Sequence, residues 1–389
     1  MEEWKEYNFT EIATIISGGT PKTSNCEYWD GDIPWLSVKD FGNDLKYVYT
    51  TERQITKLGL DNSPANILSK DDIILSARGT VGELSMIPFP MSFNQSCFGL
   101  RAKDIVDAHF LYYLMKTKVR ELKNNSHGSV FDTITRATLD NLTCRLPSLN
   151  LQKQIARCLS TLDDKIELNR KINDNLEQQA QNIFNHYFID NPMELGYYSE
   201  GVLTDIAVYL NGLAMQKFRP EGSDFGLPVL KIKELGQKSC DNNSDRCSSL
   251  IKEEYIVNDG DVIFSWSGTL LVDLWCGGKC GLNQHLFKVT SDTYPKWFYY
   301  FWTKHHLDNF IRVAKDKAVT MGHIKRTELE KANIIVPTLD KLSEINRIMS
   351  PIINEIINHR VEMRRLAQLR DSLLPQLMSG ELKINEIDC

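Results

Sequence analysis

Long hydrophobic runs are absent from this sequence of 389 residues. No run approaches the roughly 18 apolar residues that a bilayer requires, so the sequence predicts no membrane contact. The first residues, MEEWKEYNFTEIA, are charged and lack the apolar core of a secretory signal peptide. The nine cysteines are odd in number and scattered. We therefore expect reduced thiols in a cytoplasmic protein.

Motifs for nucleotide and methyl-donor chemistry are also missing. The GGK at 277–279 is followed by Cys280 and has Asp273 where a phosphate-binding loop requires its first glycine. A DNA aminomethyltransferase would need a glycine-rich cofactor turn and an Asp/Asn-Pro-Pro-aromatic motif. The segment DNPM (190–193) has one proline and no aromatic residue. The sequence therefore predicts no catalytic residue and no cofactor bound by this chain.

A zinc site is conceivable through CGGKC (276–280) together with Cys240 and Cys247. These spacings match no common zinc finger, and the corresponding part of the first half of the chain contains only Cys97. The eight histidines are dispersed along the chain. We therefore predict free thiols and no metal site.

The charge is weakly acidic, with a formal net charge of −6. Residues 1–150 contain 16 basic and 19 acidic side chains, and residues 195–337 contain 17 of each. A protein that grips nucleic acid alone usually has a basic surface. Any contact with DNA must therefore come from local patches or be shared with a partner.

An internal repeat runs through the chain, with an offset of about half its length. The corresponding pairs of segments are GDIPWLSVKD (31–40) and FGLPVLKIKE (225–234), 68–84 and 256–274, 92–104 and 280–292, 109–122 and 296–310, and 142–155 and 332–345. Two copies of one module, rather than a solenoid of many short repeats, explain this period.

Each copy ends in a long helix with apolar residues at alternating spacings of four and three, the seam of a coiled coil. The seam residues include Ile155, Leu159, Leu162, Ile166 and Asn169 in the first helix and Ile345, Ile352, Ile356, His359 and Leu366 in the second. Asn169 and His359 occupy the same place in the two seams. We expect the helices to pack as an antiparallel coiled coil; two amphipathic helices on separate cores are the alternative.

The modules themselves combine strands and helices. Short alternating strands are predicted at 32–38, 72–77, 227–233 and 260–265, and an aromatic helix lies near the end of each copy. The stretch 185–201 contains proline and glycine without periodicity, which predicts a linker. The fold class is therefore α+β.

Glycine-containing turns rich in hydroxyl, amide and basic side chains recur in both copies, which is the chemistry that reads base edges. The candidate DNA-binding residues are Thr20, Lys22, Lys39, Arg78, Thr80, Asn94, Gln95 and Ser129 in the first copy, and Lys217, Arg219, Lys233, Ser267, Thr269, Asn283, Gln284, His285, Thr320, His323 and Lys325 in the second. Ordinary surface turns use the same residue types and are the alternative interpretation.

Three segments in order carry a family resemblance: SGGTPKTSNCEYWDGDIPWLSVKDF (17–41), NGLAMQKFRPEGSDFGLPVLKIKEL (211–235) and LRDSLLPQLMSGEL (369–382). Together with the duplication and the two long helices, they resemble the specificity subunit of type I restriction–modification enzymes. The resemblance implies two target-recognition domains related by a pseudo-two-fold axis. The domains are expected at 1–150 and, after a linker, within 189–337, with spacer helices at 151–188 and 338–380 and a tail at 381–389.

The resemblance also implies partners and their cofactors. It implies that the chain binds double-stranded DNA and two modification subunits, which bind S-adenosylmethionine and methylate adenine N6. Restriction subunits would add translocation driven by ATP and Mg²⁺, and cleavage.

The two modules differ more in sequence than the helix seams do, so the two halves of the DNA target should differ in sequence. A DNA-binding decoy or scaffold without an enzyme partner is the alternative, and an enzyme fused to such modules is a third class.

Overall fold

The computed structural model describes residues 4–42, 45–125, 133–316 and 323–384 of the chain. The chain divides into two compact units. Unit 1 consists of Met1–Glu167 and Leu366–Cys389, and unit 2 consists of Leu168–Arg365. Each unit therefore contains one copy of the repeat and a part of each long helix.

Unit 1 is built from short strands and helices around three sheets. Its elements are β1 (Lys5–Asn8), α1 (Phe9–Ile12), β2 (Ala13–Ser17), β3 (Trp29–Leu36), β4 (Arg53–Ile55), α2 (Lys57–Asp61), β5 (Ile67–Leu68), β6 (Ile73–Ser76), β7 (Leu84–Met86), β8 (Met91–Phe93), β9 (Cys97–Ala102), α3 (Ala108–Asn125), α4 (Arg136–Asp140), β10 (Thr143–Leu146) and the first part of α5 (Leu149–Asn185). The strands are ordered β1-β10, β2-β9-β6-β7 and β4-β3-β8-β5. The β3–β8 pair is parallel, and the other strand pairs among the described residues are antiparallel.

Unit 2 repeats this plan strand for strand. Its elements are β11 (Tyr198–Val202), α6 (Leu203–Ile206), β12 (Val208–Asn211), β13 (Leu227–Leu230), α7 (Ile232–Gln237), β14 (Arg246–Cys247), β15 (Ile256–Val257), β16 (Val262–Ser265), β17 (Leu271–Leu274), β18 (Cys280–Leu282), β19 (Leu286–Thr290), α8 (Lys296–His305), α9 (Leu307–Asp316), α10 (Arg326–Leu329), β20 (Asn333–Pro337) and most of α11 (Leu339–Ser379). The orders β11-β20, β12-β19-β16-β17 and β14-β13-β18-β15 match those of unit 1, and β13–β18 is again the parallel pair. The predicted α+β class and internal duplication are confirmed.

The strand predicted at 227–233 is shorter in the structure. β13 ends at Leu230, and α7 begins at Ile232, so Lys233 lies on a short helix. The backbone N–H of Lys231 donates to the carboxylate of Glu234 at 3.2 Å, which caps the first turn of α7. The alternation of the sequence favoured a strand to 233, but this capping interaction ends the strand earlier.

The predicted linker at 185–201 is partly regular. Its last residues enter β11, which pairs antiparallel with β20 from Tyr198 opposite Pro337 to Val202 opposite Asn333. The backbone hydrogen bonds of this strand are satisfied by a segment more than a hundred residues away. Local composition does not reveal such a partner, so a short strand was missed.

The core of unit 2 is built around the aromatic helix α8. Every residue from Trp297 to Thr303 is buried, so the helix is enclosed on all sides. A helix that is apolar all round requires burial in this way. The Trp297 indole donates to the Asn346 amide oxygen on α11 at 2.9 Å, and Tyr209 shares a hydrogen bond of 2.7 Å with Thr303. α8 therefore links the sheet of unit 2 to its part of α11.

In unit 2 the two long helices run antiparallel. Asn169 Nδ2 donates to the Glu362 carboxylate at 2.6 Å, and Asn173 Nδ2 donates to the Ile356 backbone oxygen at 3.1 Å. The partner number on α11 falls as the number on α5 rises, which is the signature of opposite directions. His359 Nδ1 lies 3.1 Å from Asn173 Oδ1. The polar seam positions Asn169 and His359 are thus both joined to the facing helix, as expected for residues that fix register.

In unit 1 the helices are joined by a buried ion pair. Arg370 Nη1 on α11 donates to Asp163 Oδ1 on α5 at 2.7 Å, and both side chains are almost completely buried. Tyr113 of α3 donates its hydroxyl to the other oxygen of Asp163. Burial, followed by the neighbouring carboxylate, raises the pKa of Tyr113 well above its ordinary value, so the phenol keeps the proton that it donates.

The seam residues are shielded from solvent. Ile155, Leu159, Asn169, Ile345 and Ile356 are buried, and Leu162, Ile166, Ile352, His359 and Leu366 are half-buried. Since each unit contains contacts between α5 and α11, the predicted pairing of the long helices is confirmed, and the alternative of separate cores is wrong. None of the helices among the described residues has the length and apolar character to cross a membrane.

Candidate nucleic-acid interface

Three predicted turns of unit 1 and the segment at 133–135 meet through backbone hydrogen bonds; most of the fourth predicted turn, at 124–131, lies outside the described residues. Gly19 N–H donates to Phe93 O at 2.9 Å, which joins the first turn to the turn at 93–96. Ala77 N–H donates to Ser96 O at 2.8 Å, and Ile134 N–H donates to Ala77 O at 2.9 Å. The turns at 17–24, 76–82 and 93–96 and the segment at 133–135 therefore form one surface.

The same backbone hydrogen bonds join the turns of unit 2, and this shared pattern is called the backbone frame below. Leu213 N–H donates to Leu282 O at 3.0 Å, Trp266 N–H to His285 O at 3.4 Å, and Ile324 N–H to Trp266 O at 3.1 Å. Each of these bonds has its counterpart in unit 1 at the equivalent position of the repeat. Each unit thus presents one continuous set of turns built by the repeat.

Two glycines permit this close approach. A Cβ on Gly18 would overlap the backbone oxygen of Asn94, and a Cβ on Gly212 would overlap that of Asn283. Any side chain at either position would force the first turn of the unit away from the facing turn. Glycine is therefore required at these positions for packing, not for an unusual φ.

We expect Gly18→Ala and Gly212→Ala each to lower the free energy of unfolding by about 1–3 kcal/mol, because overpacking forces the two turns apart. Urea unfolding measures the change. Gly236→Ala is the matched control, since nothing lies within 4 Å of a Cβ built there and α7 favours alanine over glycine. Stability of the two turn variants equal to that of the control would contradict the close approach of the turns.

The side-chain hydrogen bonds that link the turns differ between the two units. In unit 1 the Thr20 hydroxyl donates to the Gln95 amide oxygen, which links the first turn to the turn at 93–96. In unit 2 the Trp266 indole N–H donates to the Asn211 amide oxygen at 3.0 Å, which links the first turn to the turn at 265–270. The backbone is shared, but the exposed chemistry is not.

Most of the candidate DNA-binding residues reach solvent. The exposed ones are Lys22, Lys39, Arg78, Thr80, Gln95, Lys217, Arg219, Lys233, Thr269, His285, His323 and Lys325; the half-buried ones are Thr20, Asn94 and Gln284; and Ser267 and Asn283 are buried. Ser129 and Thr320 lie outside the described residues. The exposed group supplies mainly positive charge and hydrogen-bond donors to the two surfaces.

The two asparagines shape their turns. The Asn94 amide oxygen accepts the backbone N–H of Ser96 at 3.1 Å, and that of Asn283 accepts the backbone N–H of His285 at 3.4 Å. Asparagine commonly closes a turn in this way. These contacts leave Gln95 and Gln284 as the outer members of the two Asn-Gln pairs.

Two candidates of unit 2 line one polar cleft. Arg219 and Asn283 lie in it together with Gln216, Lys231 and Arg246. Lys231 forms an ion pair with Asp245, and this partner lowers the pKa of Asp245. The sequence did not indicate Lys231 or Arg246, because both lie outside the glycine-containing turns: Lys231 precedes α7 and Arg246 lies in β14.

The cysteines of the described residues are free thiols. Burial raises the pKa of Cys276 to about 11 and that of Cys97 to about 12, so both remain protonated at neutral pH. Within the described ranges, no three His, Cys, Asp or Glu side chains are grouped as metal ligands.

Comparisons with known proteins identify the family. The family model for the type I restriction modification DNA specificity domain matches residues 1–178 and 200–363. The chain is 30% identical over 414 residues to the type I restriction enzyme MjaIX specificity subunit of Methanocaldococcus jannaschii, covering 99% of this chain and 95% of the relative. It is 26% identical over 175 residues to the type I restriction enzyme HindI specificity subunit of Haemophilus influenzae, covering 43% of this chain and 38% of the relative.

A solved structure has the same fold. The specificity subunit of the type I restriction–modification system from M. genitalium superimposes with a TM-score of 0.55 at 15% identity, over 97% of this chain and 96% of that one. At this identity the likeness concerns the fold alone. Because the family model covers most of both repeats and a full-length relative is 30% identical, the chain belongs to the specificity subunits of type I restriction–modification systems.

Proposed function

We propose that this chain reads an asymmetric, bipartite DNA sequence, with unit 1 reading one half and unit 2 the other. The observation that carries this proposal is the duplicated backbone frame with different side chains on it. One frame presents Arg78 and Ser96, whereas the other presents Ser267 and His285 at the equivalent positions. Two surfaces built on the same backbone hydrogen bonds but with different side chains suit two different half-sites.

The exposed candidates divide by the DNA group that each would contact. Lysine side chains such as Lys22 and Lys217 would neutralise phosphates and set the position of the unit on the duplex. Arg78 and Gln95 can form paired hydrogen bonds with guanine and adenine edges, respectively. The net charge of the chain is −6. We therefore propose that partner subunits supply many of the remaining positively charged contacts with the phosphates.

We propose that the chain itself is not catalytic and positions adenine-N6 methyltransferase subunits on the target. Two modification subunits would bind S-adenosylmethionine, and restriction subunits would bind ATP and Mg²⁺. The names of the homologous specificity subunits support this division of labour. The paired helices α5 and α11 provide exposed faces outside their buried seam on which such subunits could dock.

Expression in a host without adenine methylation tests the proposal. We expect methylated adenines in a single asymmetric bipartite motif when the chain is produced with the modification subunit of its own system. Neither protein alone should methylate DNA. Sequencing that detects N6-methyladenine gives the result for all three strains.

Two outcomes would contradict the proposal. Methyl transfer by the purified chain alone would make it an enzyme. Sequence-specific DNA binding without any methylation in the presence of the modification subunit would favour a decoy or scaffold.

A further inference from the structure

Trp266 holds together four segments of the unit 2 surface. Its backbone is bonded to His285 and to Ile324, and its indole N–H donates to the Asn211 side chain at 3.0 Å. The residue therefore lies where the turns at 211–220, 265–270 and 282–285 meet the segment at 323–325. No selection of hydrogen-bonding residue types would have found it, because an indole has little polar surface.

The indole belongs to an aromatic floor, defined here as Trp266, His285, Phe287 and His323. The ring centroid of Trp266 lies 5.8 Å from that of Phe287, 6.0 Å from that of His285 and 6.3 Å from that of His323. Phe287 is buried, Trp266 is half-buried, and the two histidines are exposed. The floor therefore extends from the core to the surface at the centre of the turns.

The described residues of unit 1 form no such floor at the equivalent positions. The residue equivalent to Trp266 is Ala77, which is buried and makes the same two backbone hydrogen bonds. The next residue along is Arg78 in unit 1 and Ser267 in unit 2. The centre of one surface is thus basic and the centre of the other is aromatic.

The chemistry of the indole limits what it can recognise. Tryptophan has one hydrogen-bond donor and no acceptor. Because Asn211 accepts that donor, Trp266 offers a ligand only apolar surface. Among the groups in the major groove of duplex DNA, the C5-methyl of thymine is the one that such a surface contacts favourably. Stacking on a base face would require the base to leave the duplex.

We infer that Trp266 is a specificity-determining residue of unit 2 that contacts the C5-methyl group of a thymine in the half-site. This inference rests on the proposed function and names the base feature that unit 2 reads. The polar neighbours Gln284 and His285 would contact groups on the adjoining base pairs. Unit 1, with Ala77 at this position, would not read a methyl group there.

The experiment uses the full chain in complex with its modification subunits. The DNA duplexes carry the motif identified by methylation sequencing. In each duplex a single thymidine is replaced by deoxyuridine, which lacks only the C5-methyl group. We expect one replacement in the half-site read by unit 2 to weaken binding about three- to tenfold. This ratio corresponds to the free energy gained by burying one methyl group. With Trp266→Ala, the same replacement should have no further effect, because the contact is already lost.

Two further variants separate recognition from positioning. Asn211→Ala removes the hydrogen bond but keeps the indole, so binding should remain sensitive to the methyl group. Trp266→Phe keeps an aromatic ring and should retain part of that sensitivity. Deoxyuridine in the half-site read by unit 1 should affect wild type and Trp266→Ala equally. The scan with wild-type protein does not depend on how well any variant folds.

Two results would overturn the inference. Unchanged wild-type binding with every thymine of the half-site replaced would show that no methyl group is read. Full methyl sensitivity in Trp266→Ala would show that the indole only positions the turns. Failure of the proposed function is a different result, in which the wild-type complex binds no sequence specifically.

Discussion

Replacing Arg370 by methionine is expected to lower the free energy of unfolding by about 3–5 kcal/mol. Methionine fills much of the same space but leaves the Asp163 carboxylate buried without its cationic partner. Tyr113 would still donate one hydrogen bond to it, which does not offset a buried charge. Urea unfolding followed by circular dichroism gives the loss, and hydrogen exchange of the amides in α3 assigns it to unit 1.

Removing the whole polar group should restore stability. At the equivalent positions of the repeat, unit 2 has Ile353 for Asp163 and Ala180 for Arg370, and both are buried. The triple variant Tyr113→Phe, Asp163→Leu, Arg370→Met should therefore be about as stable as wild type. Lys57→Met is the control, because its ion pair with Asp61 is exposed and contributes about 0.5 kcal/mol or less. If Arg370→Met lowered the free energy of unfolding by no more than Lys57→Met does, stability would not depend on the buried ion pair.

Exchanging residues 195–337 for the equivalent block of a related specificity subunit should replace one half of the methylated motif completely. The other half, read by residues 1–150, should remain unchanged, because base contacts are local to each unit's turns. The exchange begins before β11 and ends at the last residue of β20, so every strand of the unit 2 sheets moves with its partners. Sequencing of methylated adenines in a host with the cognate modification subunit gives the motif.

The reciprocal exchange of residues 1–150 is the matched control and should change only the other half of the motif. Within one unit, Gln95→Ala should relax a single position at a loss of about 1–3 kcal/mol in binding. An exchange that altered both halves of the motif together would show that the two units form one composite surface, and recognition by separate units would be wrong.

The duplication, the α+β class and the long helices could be predicted from the sequence because each is encoded in local periodicity. Heptad spacing from Ile155 onwards predicted the seam of α5, and the repeated Asn-Gln pairs predicted equivalent turns. The strand predicted to 233 failed because a single capping interaction, from Lys231 to Glu234, ended it early. The strand Tyr198–Val202 was missed because its pairing partner lies far along the chain.

The repeated segments, the residues of the helix seam and the family resemblance are all evident from the order of amino acids alone. Tertiary structure decided what the individual side chains do. It placed Asn283 inside its turn, paired Arg370 with Asp163 and put Trp266 at the centre of the unit 2 surface. The physical reason is that a hydrogen bond or an ion pair depends on two groups that meet only after folding, whereas periodicity is a property of one continuous segment.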